Sequence, residues 1–121
     1  MLVGMAIKTE IQHPLPEGLI ELIAGRFRVL GEPMRIRLLD ALSQQSATVG
    51  ELQAITGGSQ QNVSKHLGVL AQAGMVERSK RGTCVVYAIA DDSLYVLCET
   101  VCGGLRDQVN ELEALLKGNT K

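Results

Sequence analysis

Residues 56–70, running Thr56-Gly57-Gly58-Ser59-Gln60-Gln61-Asn62-Val63-Ser64-Lys65-His66-Leu67-Gly68-Val69-Leu70, constrain this 121-residue chain more than any other stretch. A Gly-Gly turn leads to Ser59, whose hydroxyl suits a helix N-cap, and Val63, Leu67 and Leu70 then form one apolar stripe at helical spacing. Gln61, Ser64, Lys65 and Gly68 fall opposite that stripe, with Gln60, Asn62 and His66 beside them. The exposed side is thus short, polar and without a carboxylate. Amides and hydroxyls of this kind can bond base edges or phosphates, and Lys65 and His66 can meet backbone charge, so the face suits a DNA groove. An ordinary solvated helix face has the same composition, and the neighbouring segments have to decide between the two.

Upstream, Leu19, Ile20, Ile23, Phe27 and Leu30 share a face, which predicts an amphipathic helix over residues 17–30, closed by Gly31. Pro33 suits the first turn of a second helix, where its missing N–H costs nothing, with Met34, Leu38, Ala41 and Leu42 on the buried side. Arg35 and Arg37 project elsewhere, toward solvent or phosphates. Thr48 and Glu51 have the form of a capping box opening a third helix, in which Val49, Leu52 and Ile55 face inward. Two short helices joined through glycines, the second with a polar outer face, are the sequence form of a helix-turn-helix.

After Gly74 the period changes from helical to alternating. Residues 75–79 and 84–89 are β-rich runs around Lys80-Arg81-Gly82, which predicts a hairpin with a basic tip. Charged hairpin tips usually serve solubility. Directly after a helix-turn-helix, however, this one has the form of a wing that reaches flanking phosphates or the minor groove. The expected fold class is therefore mainly α with a β-hairpin wing, a winged helix-turn-helix. The domain divides into an arm over residues 1–16, carrying Pro14 and Pro16, a DNA-binding and dimerisation domain over 17–117, and a tail over 118–121.

Residues 91–117 read as a long last helix with Leu94, Cys98, Val101, Leu105, Val109, Leu112 and Leu116 along one side. One stripe that long exceeds what a small domain needs to cover itself, so a homodimer is expected, with the first helix joining the seam. Gly103 and Gly104 inside it each cost about 1 kcal/mol relative to alanine, and either close helix approach or a kink or break accounts for them. Two recognition helices about one DNA turn apart would read a palindromic site more tightly than one.

Net charge is −1, and only Phe27, Tyr87 and Tyr95 are aromatic, so the core must be built from aliphatic side chains. The distribution of charge is more telling than its sum. Lys65, Arg78, Lys80 and Arg81 oppose Glu77 alone across residues 59–82, whereas six acids oppose three bases from Asp91 onward. Neither a secretory signal nor a spanning segment is discernible, and three cysteines make a disulfide scaffold a poor fit; the expectation is a soluble cytoplasmic protein with reduced thiols. No cysteine–histidine pair, phosphate-cradling glycine loop or paired carboxylates point to an enzyme. A winged-helix protein-interaction module is the alternative class, distinguishable by the steep salt dependence of DNA binding.

The block Phe27-Arg28-Val29-Leu30-Gly31-Glu32-Pro33-Met34-Arg35-Ile36-Arg37-Leu38-Leu39, followed by Gln61-Asn62-Val63-Ser64-Lys65-His66-Leu67 and the hairpin, resembles the ArsR/SmtB family of bacterial winged-helix repressors over residues 17–116. The resemblance implies a homodimer built on the first and last helices, binding double-stranded operator DNA and releasing it when an inducer binds. It places the DNA contacts on Ser59, Gln60, Gln61, Asn62, Ser64, Lys65 and His66, with Arg78, Lys80 and Arg81 from the wing.

Two inducer sites common in that family are missing as written: residues 48–55 contain no cysteine, and His13 and His66 are the only histidines. What remains is Cys98 and Cys102, with Cys84 on the hairpin. Four residues apart on a helix, two thiols have Cβ atoms about 5–6 Å apart. That is wide for a disulfide, but a soft ion between thiolates tolerates it. A third thiolate from Cys84 or a partner chain would complete a trigonal arsenic or antimony site, or a tetrahedral zinc, cadmium or lead site. Oxidation, a persulfide or a bridged polysulfide is the redox alternative, and plain packing of cysteine as a small hydrophobe is the third reading.

Overall fold

The computed structural model describes residues 11–118. Most of the expected arm, residues 1–10, and the tail beyond Gly118 lie outside them. The chain runs α1 (Glu17–Leu30), α2 (Pro33–Gln44), β1 (Ala47–Thr48), α3 (Val49–Thr56), α4 (Gln60–Gln72), β2 (Val76–Arg81), β3 (Cys84–Ile89) and α5 (Ser93–Leu116).

Local chemistry sets most of these boundaries. Glu32 caps α2 by accepting from the Met34 amide at 2.8 Å, and Pro33 occupies the first turn. Thr48 and Glu51 form the expected capping box: Thr48 Oγ1 accepts from the Glu51 amide at 3.2 Å, and Glu51 Oε1 accepts from the Thr48 amide at 2.9 Å. Gly57 ends α3 with φ +80°, a conformation glycine adopts without a Cβ penalty. Ser59 then caps α4, its Oγ accepting from the Asn62 amide at 3.1 Å. Thr48→Ala should lower unfolding free energy by about 1 kcal/mol, read as a fall in the urea midpoint at unchanged slope.

The core lies where α2, α3 and α4 meet the sheet. Leu38, Leu52, Val63, Leu67, Leu70 and Met75 have no exposed surface, with Leu39, Leu42, Val76 and Tyr87 closing around them. Each fully buried aliphatic side chain of this size contributes about 1.5–3 kcal/mol. Gly58 sits so close to this core that a Cβ there would meet Met34 Cε at 3.0 Å and Val63 Cγ2 at 3.1 Å.

Three expectations are corrected. Ile55 does not face inward but is 62% exposed, because α3 ends one residue later; Leu52 is buried and Val49 packs against the core from the first turn. Leu39, not expected on the buried side of α2, is buried. The hairpin is part of an antiparallel three-stranded sheet in the order β1-β3-β2, with Ala47 opposite Tyr87 and Thr48 opposite Val86. β2 also runs two residues further than expected, so Lys80 and Arg81 lie in the strand. The two-residue turn is Gly82-Thr83, with positive φ at Gly82 only, as in a type II′ turn.

α1 and α5 bury little. No residue of α1 and only Leu94 of α5 is buried, although Val29 and Leu30 pack on the core. Arg26 ties the two helices to the body, donating from Nη1 to the Ala73 carbonyl at 3.3 Å and from Nη2 to Asp91 Oδ2 at 2.8 Å. The Asp91 carboxyl is held below the usual carboxylate range, first by the Ser93 hydroxyl and amide donating to Oδ1 and then by the Arg26 guanidinium. Through Gly103 and Gly104 α5 is uninterrupted, so the expected choice between close approach and a break resolves against a break. Among the described residues no helix is long and apolar enough to cross a membrane.

Candidate nucleic-acid interface

α4 presents its polar residues as one row because the Val63–Leu67–Leu70 stripe is fixed in the core. Gln60, Gln61, Ser64, Lys65 and Gly68 are exposed, Asn62 is half-buried, and the Ser59 hydroxyl keeps its proton free to donate after accepting at the cap. No Asp or Glu occurs in α4. Donors and a cation therefore face outward with nothing to repel phosphate.

His66 departs from the expected contact set. It is only 6% exposed, and its Nδ1 accepts from Arg35 Nε at 3.1 Å. The position was readable: Val63, His66, Leu67 and Leu70 stand at i, i+3, i+4 and i+7, the signature of an inward face. Arg35 is corrected with it, since Nη1 also donates to the Val29 carbonyl at 3.0 Å, which turns the guanidinium inward.

The wing carries Arg78, Lys80 and Arg81, all exposed. The register sets Arg78 against Tyr87, Lys80 against Val85 and Arg81 against Cys84. By strand alternation Arg78 and Lys80 share one face and Arg81 takes the other. The Arg78 guanidinium carbon lies 6.0 Å from the Tyr87 ring centroid, at the outer edge of cation–π range.

Cys84, Cys98 and Cys102 are all free and exposed. The hairpin register carries Cys84 to the wing's turn, whereas Cys98 and Cys102 lie on α5. Among the described residues no three His, Cys, Asp or Glu side chains converge as metal ligands. A three-thiolate site within one chain, as anticipated for Cys84, Cys98 and Cys102, therefore does not fit.

A capped helix pair with a donor-rich outer helix, followed by a cationic hairpin, defines a winged-helix protein of the DNA-binding class. A sequence family described as a helix-turn-helix domain matches residues 30–79. The chain is 36% identical over 109 residues to the uncharacterized HTH-type transcriptional regulator Rv0081 of Mycobacterium tuberculosis, covering 86% of this chain and 96% of that one. It is 31% identical over 106 residues to the biofilm growth-associated repressor of Agrobacterium fabrum, covering 80% and 91%. The Rv0081 crystal structure superposes with a TM-score of 0.70 at 35% identity, covering 78% of this chain and 99% of that one. The homodimeric winged helix-turn-helix domain of Mb0332 from Mycobacterium bovis, described as a possible ArsR-family regulator, gives 0.67 at 24% identity over 80% and 95%. The chain belongs to the ArsR/SmtB family of winged-helix transcriptional regulators.

Proposed function

We propose that this regulator is a homodimeric repressor of operator DNA whose affinity is set by thiol chemistry at Cys98 and Cys102. α4 enters the major groove, with Gln60, Gln61, Asn62 and Ser64 reading or positioning against the duplex and Lys65 meeting phosphate. Ser59 adds a backbone contact at the helix start, and Arg78, Lys80 and Arg81 lie along the flanking strand. The observation that carries the dimer is the apolar surface left on α1 and α5: Phe27 is 58% exposed, Leu105 56%, Leu112 55% and Leu116 77%. A second copy is the natural cover for a seam that continues so far beyond its own core. Gly103 and Gly104 agree with it. A Cβ at Gly104 would meet nothing within 4 Å, and one at Gly103 only the Arg106 side chain, so the bareness there serves no contact inside the chain.

Cys98 lies in the same stripe as Leu94, Val101 and Leu105, so modifying it or its neighbour Cys102 would alter how the two halves sit together. With two thiolates per chain, the candidates are a soft metal or metalloid held between them, completed by a ligand outside this chain, and a sulfur species bridging their gap. The test is duplex binding by the reduced dimer titrated with arsenite, cadmium and a persulfide donor. Release by one of them, lost in Cys98→Ser and Cys102→Ser, is the expected result, and the agent that works identifies the chemistry. Serine variants that keep every response of the parent would remove the thiols from sensing. The same duplex assay, repeated across salt concentrations, separates this reading from a protein-interaction module, which would lack the steep decline.

A further inference from the structure

Among the described residues one buried polar side chain, His66, is not used by the DNA-contacting row, and it sits on the DNA-reading helix itself. We propose that His66 is the positioning residue of α4, and that its neutral, Nε2-protonated form is the DNA-binding form. This rests on the reading that α4 lies against DNA.

Arg35 Nε donates to His66 Nδ1 at 3.1 Å, and a guanidinium does not surrender its proton. Nδ1 is therefore the acceptor, and the ring's own proton belongs on Nε2. That nitrogen faces Glu32 Oε1 at 3.8 Å. Glu32 Oε1 is the same oxygen that caps α2 through the Met34 amide, and Arg35 is also fixed by the Val29 carbonyl at the end of α1. The imidazole thus joins α4 to the first turn of α2 and, through Arg35, to α1. Lys65, the adjacent cation on its own helix, is exposed.

Protonation at Nδ1 removes the acceptor and sets a second cation beside the guanidinium. The carboxylate facing the ring, Glu32, is drawn toward an imidazolium and so away from the position in which it caps α2 through the Met34 amide. Acidification therefore exchanges one set of contacts for another and shifts α4 against α2. Gln61, Ser64 and Lys65 lie within about a turn and a half of His66, so the shift moves the DNA-reading row with it.

The probe is a duplex enriched from a randomised library on the parent protein, with His13→Gln in every protein compared. On acidification from about pH 7.5 to about pH 5.5, parent affinity should fall about fivefold to tenfold, the scale of one hydrogen bond exchanged. Gain of positive charge would by itself tighten DNA binding, so the direction is diagnostic. His66→Gln should bind within about twofold of the parent at the higher pH and stay level on acidification, because its amide supplies the same acceptor and donor without titrating. His66→Leu should be weak throughout; should it fail to fold, the parent and glutamine comparison still decides. Unfolding midpoints at each pH separate helix repositioning from loss of fold. Parent affinity that is unchanged or higher at low pH, or a glutamine variant that declines with the parent, overturns the proposal, as does an NMR assignment of the proton to Nδ1 at neutral pH. Failure of the underlying reading shows separately, as full affinity in Gln61→Ala and Lys65→Ala.

Discussion

Lys65→Glu should weaken duplex binding by about two orders of magnitude at moderate salt, because the change removes a cation and sets a carboxylate against phosphate in both halves of the dimer. Lys65→Gln should cost about tenfold and reduce the slope of log affinity against log salt by about two per dimer, one released counterion for each protomer. Folding should be untouched. The Lys65 side chain is exposed and, among the described residues, enters no hydrogen bond or ion pair, so stability should stay within about 0.5 kcal/mol of the parent. The loss should be near uniform across duplex sequences, whereas Gln61→Ala should relax discrimination at particular base pairs. Filter binding or fluorescence anisotropy over a salt series reads both effects. A glutamate variant with parental affinity would move the DNA surface off α4.

Leu105→Glu should separate the dimer and lower operator affinity by about a hundredfold, the scale of avidity lost when two linked sites become one. Leu105 stands in the middle of the exposed stripe between Val101 and Val109, 56% exposed in the single chain. Covering the remainder stabilises by about 1 kcal/mol or more per protomer, and a charge in its place would have to be desolvated without a partner. Sedimentation velocity should show the mass halved. Asn110→Glu, on the same helix but off the stripe, should leave both mass and affinity near the parent's, which makes the pair a test of the face and not of added charge. A Leu105→Glu protein that remains dimeric would place the interface elsewhere.

Much of the architecture could be read from short-range chemistry. The Thr48–Glu51 capping box, the left-handed Gly57 and the Ser59 cap are each decided within a few residues, and α1, α4 and α5 repeat their apolar positions often enough to fix a face. What escaped depends on distant parts of the chain. β1 is two residues long, too short for any period, and exists because β3 offers it an edge. Arg35 reads as a surface cation in the sequence because its acceptor lies 31 residues away on α4. Composition alone cannot separate Cys84 from the α5 thiols; the Arg81–Cys84 register, which sets it beside the wing's turn, does. His66 was different: its spacing announced burial, and the expectation followed its chemistry instead.

Thr48 holds two offices at once. It pairs with Val86 in the wing and caps the first turn of α3, so a single residue rivets the hairpin to the helix pair. The wing consequently has no independent hinge at its base. In the proposed dimer, a shift at the α5 seam would swing hairpin and reading helix together, as one lever. Repression by that dimer would then depend on the span between two such levers, set against the helical repeat of DNA.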